Sequence, residues 1–317
     1  MRAPGFWFRP PGWQAALLAP LGALYAWGTA RRLARGRRQQ LGVPVICVGG
    51  LNVGGTGKTP TCIALAERLR GRFLTPHIVT RGYGGTLEGP VRVDPARHRA
   101  EQVGDEALLM AAFADVWVAK DRAAGGRAAE AAGADVVLLD DGFQNPALHQ
   151  DLSIVVVDSE VGFGNGRCLP AGPLREPAKV GLARADLVVS VGGAFDGAPN
   201  VPQVQAALEP LETGMPWEGL AVLAFAGIGR PEKFFATLRS LGARIVRAEA
   251  LGDHERLSTV LLERLEREAM AQNAILVTTE KDAARLPPDW RFKVRSVPVR
   301  LRFEDEGVLD AALERVL

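Results

Sequence analysis

From Val43 onward, short and mainly apolar runs alternate with helical stretches. Val43–Val48, His77–Thr80, Val116–Ala119, Asp135–Leu139, Ser153–Val157 and Leu187–Ser190 read as strands. Helices are expected at Lys58–Arg70, Asp105–Phe113 and Arg122–Ala132. Strands built on continuous apolar runs, separated by helices, predict a parallel sheet covered on both faces. The stretch 191–218 turns to glycine, proline and short polar pieces and reads as a linker. Beyond it, Ala221–Ala226 and Ile275–Thr278 resume strand character. Helices are expected at Pro231–Leu241, at Glu255–Ala271 (where Leu257, Leu261, Leu265 and Ala269 recur every fourth residue) and at Glu304–Leu317. The pattern is α/β, with a sheet domain over 41–190 and a second, smaller α/β domain over 219–317.

The first 40 residues follow a different pattern. No charge falls between Arg9 and Arg31, and Trp13, Leu17, Leu21 and Leu24 recur at helical spacing. Arg31, Arg32, Arg35, Arg37 and Arg38 follow at once. The length would allow a membrane span, but Pro20, Gly22 and Gly28 weaken one. Positive charge directly after the apolar stretch opposes a secretory signal. A helix lying in the membrane interface, its arginines on anionic lipid, fits this composition; a helix packed on the protein's own core is the alternative.

Charge sharpens this division. No Asp or Glu precedes Glu67, so residues 1–66 carry +8, and the net charge of +2 leaves −6 for the rest. A basic front on an acidic body points to an anionic membrane surface rather than to nucleic acid. No obligate protein partner is indicated. Cys47, Cys62 and Cys168 are scattered, which excludes a disulfide framework or cysteine zinc site and fits a reducing compartment.

The strongest chemical signal runs from Val45 to Thr59, where a strand enters Gly49-Gly50-Leu51-Asn52-Val53-Gly54-Gly55-Thr56-Gly57-Lys58-Thr59. Glycines let backbone N–H groups converge on phosphate oxygens at a helix start. Asn52, Val53, Gly54, Gly55, Thr56, Gly57, Lys58 and Thr59 are the expected nucleotide-binding residues, with Lys58 on the β/γ-phosphates and Thr59 on Mg²⁺. The strict pattern wants glycine at 52, but Asn also tolerates left-handed backbone. Asp140 and Asp141, ending a buried strand, are the expected further Mg²⁺ ligands. Thr279-Glu280-Lys281-Asp282 lacks the spacing of a guanine reader, so ATP is the expected nucleotide.

Further motifs are polar or charged where a core would not want them. They are Thr80-Arg81-Gly82-Tyr83-Gly84-Gly85, Gly104-Asp105-Glu106, Lys120-Asp121-Arg122, Asp140-Asp141-Gly142-Phe143-Gln144, the stretch from Gly164 to Glu176, Ala226–Glu232, Asp253-His254 and Thr279–Asp282. With the loop above, this order resembles the tetraacyldisaccharide 4′-kinase family, the lipid A 4′-kinases, over nearly the whole chain. The resemblance implies ATP-dependent phosphorylation of the 4′-hydroxyl of a lipid-linked glucosamine disaccharide 1-phosphate. It places this at the cytoplasmic face of the bacterial inner membrane, in a fold of two α/β/α domains joined by a two-stranded linker. It further implies Asp105 paired with His254 as the base system, with Lys58 and Asp141 also catalytic. Glu106, Arg122, Gln144, Arg175 and Glu176 are expected to contact substrate. Asn145 stands where the family usually has His. The alternative is a membrane-associated P-loop ATPase switch with no lipid acceptor.

Overall fold

The computed structural model describes residues 3–253 and 255–317. Its strands, in chain order, are β1 (Val45–Gly49), β2 (Pro76–Thr80), β3 (Val91–Arg92), β4 (Asp115–Val118), β5 (Val136–Asp140), β6 (Leu152–Asp158), β7 (Leu187–Val191), β8 (Gln203–Pro210), β9 (Ala221–Ala226), β10 (Arg244–Ala250), β11 (Ile275–Thr279), β12 (Val294–Val297) and β13 (Val299–Phe303). Helices α1 (Trp13–Arg35), α2 (Lys58–Gly71), α3 (Ala100–Val103), α4 (Asp105–Met110) and α5 (Arg122–Ala131) fall in the first half. The second half holds α6 (Ala178–Leu182), α7 (Pro231–Ser240), α8 (Thr259–Ala271), α9 (Glu280–Ala284) and α10 (Glu306–Glu314).

Nine strands form the large sheet in the order β13-β8-β7-β6-β1-β5-β2-β4-β3. The interior strands run parallel, and only the edges β13 and β3 are antiparallel to their neighbours. Every residue of β1, β2, β5, β6 and β7 is buried. Side chains alternate across the sheet: Ile46, Val48 and Leu138 enter one core, Val45, Cys47, Val137 and Leu139 the other. A smaller parallel sheet, β10-β9-β11-β12, forms the second unit.

Two features depart from the expected boundaries. Residues 203–210, inside the stretch read as a linker, form β8, which pairs parallel with β7 and antiparallel with β13. Residues 299–317 also belong to the large sheet: Leu301, Leu309 and Leu313 are buried in the same core as Ile46 and Leu65. Burial of those side chains outweighs their position in the chain. Arg68 of α2 grips Asp310 of α10 through Nε at 2.7 Å and Nη2 at 2.5 Å, holding the last helix in place.

Along α1, Ala15, Gly22 and Thr29 face the body. A Cβ on Gly22 would lie 2.9 Å from the Cys168 carbonyl, so only glycine permits this approach. Trp13 (75% exposed), Leu17 (72%), Leu21, Leu24 and Trp27 face outward. Among the described residues no helix is long and apolar enough to cross a membrane.

Leu309→Ala should destabilise the large domain by about 3 kcal/mol, the order for deleting a buried leucine, and thermal unfolding reads it. Val260→Ala, at an exposed site on α8, should leave Tm within about one degree.

Candidate active site

The strand order reverses at β1, which has β5 on one side and β6 on the other. Ligands of open α/β sheets bind outside the carboxyl ends of the strands at such a point. Here the glycine loop leaves β1 and ends at Gly57, whose φ of 96° precedes the first turn of α2. Lys58 lies across the loop, donating from Nζ to the Gly54 carbonyl at 3.2 Å. A Cβ on Gly54 or Gly55 would meet nothing within 4 Å. The Thr56 hydroxyl is buried without a hydrogen-bond partner among the described residues. An open loop of backbone donors, one cation and an unpaired buried hydroxyl fits a polyphosphate.

The acidic pair sits beside it, in register with β1 through Val48 and Asp140. Asp140 is buried and accepts from the Thr80 hydroxyl at 2.8 Å. Burial, then the charges of Glu106 and Asp141, push its pKa up to about 6. The Lys58 charge offsets this only in part, and a divalent cation would add the positive charge still wanting. Asp141 occupies left-handed backbone with φ 51°. It accepts from Arg175 at 2.7 Å and lies 3.8 Å from Lys58. Burial opposes its ionisation, but Lys58 and Arg175 prevail and hold it below the usual aspartate range. Asp140 and Asp141 thus fit Mg²⁺, with Thr59, the second residue of α2, as the expected third ligand. Among the described residues no three His, Cys, Asp or Glu side chains group to hold an ion by themselves.

Arg122 opens α5 but does not reach outward. Its guanidinium donates to the carbonyls of Ala119 at 2.7 Å and Asp140 at 3.4 Å, beneath the acidic pair. Burial lowers its pKa, partly offset by Asp140 and Asp141. Gln144 donates to the Gly50 carbonyl and to Glu176, both at 3.0 Å. Glu176, 2% exposed, also accepts from Arg184 at 2.6 Å. Asn145 accepts from the Ala147 N–H at 2.9 Å, capping a turn. Asn52 is nearly buried, and its side-chain amide donates to the Gly162 carbonyl at 2.7 Å.

The second unit supplies the opposite wall. A Cβ on Gly229 would lie 3.5 Å from the Gly55 nitrogen, so the Ala226–Glu232 turn covers the phosphate loop. Arg230 and Lys233 each reach Asp158, at the end of β6, at 2.8 Å, and Arg230 also pairs with Glu160. Lys281, on α9, reaches Glu106 of α4 at 3.0 Å and Asp253 at 3.8 Å. Asp105 is buried beside Glu106 at the start of α4. Asp105, Glu106, Asp253 and Lys281 therefore meet where the two units touch. His254 lies outside the described residues.

Sequence reasoning missed Arg184, which no motif marks, and gave Arg230 and Lys233 no role. Their signal lay in Asp158, a carboxylate ending a wholly buried strand with no positive charge near it in sequence.

A parallel sheet with this loop between β1 and α2, and two acids on the adjoining strand, defines a P-loop phosphoryl-transfer protein. Comparison with known proteins narrows the class. The family model for Tetraacyldisaccharide-1-P 4′-kinase matches residues 14–317, and the chain belongs to that family. It is 58% identical to the tetraacyldisaccharide 4′-kinase of Jannaschia sp., across 100% of this chain and 99% of that one. It is 48% identical to that of Rhodospirillum rubrum, across 100% and 98%. A crystal structure of LpxK from Aquifex aeolicus in complex with ATP matches with a TM-score of 0.79 at 29% identity, covering 95% of this chain and 99% of that one.

Lys281 carries a pH signature. Burial disfavours its charge, but Glu106, Asp105 and Asp253 hold its pKa above the ordinary lysine value. The pairing therefore stabilises the fold throughout neutral pH and is lost only as pH rises beyond the lysine range. Lys281→Met should cost about 2 kcal/mol at pH 7, the order for stripping partly buried polar groups of their partner. Urea unfolding at pH 7 against pH 11 should show the wild-type advantage shrinking.

Proposed function

We propose that this chain transfers the γ-phosphoryl group of ATP to the 4′-hydroxyl of a tetraacylated glucosamine disaccharide 1-phosphate, the step that family membership indicates. One observation supports the site assignment: Glu106, paired with Lys281 of the second unit, lies near enough to Asp140 for its charge to raise that carboxylate's pKa, so the Asp105–Glu106–Lys281 cluster adjoins the Lys58–Asp141–Arg175 cluster. Backbone donors of Gly54–Gly57 and the Lys58 ammonium would hold the phosphates. Thr59, Asp140 and Asp141 would hold Mg²⁺, which would supply positive charge to the transferring phosphoryl group. Arg175 adds a cation on the leaving side. Arg122 acts from below by fixing the carbonyl end of β5.

Asp105 takes the proton of the 4′-hydroxyl, with His254 as its partner. The new bond forms between the 4′-oxygen and the γ-phosphorus while the bond to the β,γ-bridging oxygen breaks, leaving ADP. Glu106, Gln144 and Glu176 orient the sugar and the cations around it. Lys281 keeps Glu106 and Asp105 at the cleft.

The protein acts as a peripheral enzyme on the cytoplasmic face of the bacterial inner membrane, held through α1. Its outward tryptophans and leucines, followed by five arginines, suit an anionic lipid surface.

Mixing the protein with Mg·ATP labelled at the γ-phosphate and tetraacyl disaccharide 1-phosphate in detergent micelles should label the lipid. ATP hydrolysis with no labelled lipid would favour an ATPase switch and end the acceptor assignment. Lys58→Ala should lower labelling about 10²-fold or more, and near-normal labelling would remove the phosphate-loop reading. Replacing Trp13, Leu17, Leu21 and Leu24 together by serine should abolish most binding to anionic vesicles in flotation while leaving Tm unchanged. Undiminished flotation would sink the interfacial role of α1.

A further inference from the structure

The phosphate loop departs from the strict glycine pattern at one position, and the structure gives that departure a use. Residues 51–53 and 173–175 form a short antiparallel ladder. The Arg175 N–H donates to the Leu51 carbonyl at 2.7 Å, and the Val53 N–H donates to the Pro173 carbonyl at 2.9 Å. Asn52 is bridged to Leu174 between them. This ladder fastens the far end of the segment 162–175. The Asn52 side chain fastens its near end, because the amide nitrogen reaches the Gly162 carbonyl at 2.7 Å. One stretch of the phosphate loop therefore closes the segment at both ends. Glycine at 52 would keep the ladder and lose the side-chain clasp.

What the segment carries makes the clasp consequential. Its end bears Arg175, bonded to Asp141, and Glu176, bonded to Gln144 and Arg184. Its middle carries the amino-terminal segment: the Asn165 N–H donates to the Trp7 carbonyl at 2.7 Å, and the Trp7 indole donates to the Pro170 carbonyl at 3.0 Å. Gly22 of α1 rests on the Cys168 carbonyl.

We infer that Asn52 is a positioning residue: it holds the segment 162–175, with Arg175 and the attached amino-terminal helix, in register with the phosphate loop, and it does not cradle phosphate. Its amide nitrogen is already committed to Gly162. Its oxygen is buried with no partner among the described residues. The phosphate-facing donors are then the backbone from Gly54 onward and Lys58. The kinetic part of this inference rests on the kinase reading above; the structural part does not.

The test compares wild type with Asn52→Gly, which restores the strict loop pattern, and Asn52→Asp, which keeps the shape but sets a carboxylate against the Gly162 carbonyl. Hydrogen–deuterium exchange of peptides covering 163–174 should be faster by about fivefold or more in both, the order for one lost buried hydrogen bond. The KM for the lipid acceptor should rise by a similar factor, about fivefold. The Kd of a fluorescent ATP analogue should stay within about twofold. Unchanged exchange in Asn52→Gly would overturn the inference. So would lost nucleotide affinity at an unaltered acceptor KM, which would return Asn52 to the phosphate cradle. Should Asn52→Asp fail to fold, Asn52→Gly decides alone. Should wild-type protein label no lipid, the kinase reading falls, and the exchange comparison still decides the clasp.

Discussion

The site depends first on where β1 ends. Parallel neighbours bond both its edges and separate cores cover both its faces, so its carboxyl end is fixed in three directions. The next element is pressed directly against it: a Cβ on Gly49 would lie 2.4 Å from the Cβ of Phe143. That contact locks the phosphate loop to the Asp140–Gln144 turn. The spacing between the end of β1 and the acidic pair thus follows from core packing. Rigid placement of this kind lets fixed charges act on a transferring phosphoryl group without reorganising first.

Adjacent aspartates then acquire opposite characters from opposite surroundings. Asp140 ends the strand inside, where burial and neighbouring carboxylates disfavour its charge. Asp141 turns through left-handed backbone and meets Lys58 and Arg175, which favour its charge. Two carboxyl groups with ionisation pushed apart can serve different roles in one site. The same division recurs across the cleft, where Lys281 of one unit holds the carboxylates at the head of α4 in the other. Asp158, clasped by Arg230 and Lys233, repeats the device at the end of β6. Charge pairs therefore join the two units, and they are the contacts any opening motion would have to break.

Much of this was legible in the residues. Mainly apolar strands announce themselves because both faces are buried, so β1, β2, β5, β6 and β7 fell close to their expected positions. The glycine loop and the acidic pair were legible because phosphate chemistry admits few alternatives at those positions. β8 was not: in Gln203–Pro210 only Val204 and Ala206 are fully buried, and an edge-side strand needs no longer apolar run. Nor was the return of β13 and α10 to the first core, since which sheet a late strand joins is decided by long-range burial. Arg122 shows the limit at the site itself. Its place in a polar motif suggested substrate contact, whereas its guanidinium is spent on the carbonyls of Ala119 and Asp140. Sequence marks the residue type the chemistry needs; the direction in which it points comes from packing.

The outward face of α1 and the phosphate loop are far apart in chemistry but joined by one segment. Residues 162–175 touch the amino-terminal segment through Trp7 and Gly22, and the phosphate loop through Leu51, Asn52 and Val53. An enzyme whose acceptor is a lipid must fix the depth of its catalytic groups relative to the surface that holds the acyl chains. A helix tethered by a flexible linker would leave that depth undefined by many ångströms. Here the apolar face and the phosphate loop are bonded to opposite sides of the same short segment. Any surface that seats Trp13, Leu17, Leu21 and Leu24 therefore also sets the height of Arg175 and Lys58 above it. With α1 seated on a membrane as proposed, attachment and substrate alignment would be one structural event, and for that reason the small residues on the inner face of α1 would matter as much as the large ones outside.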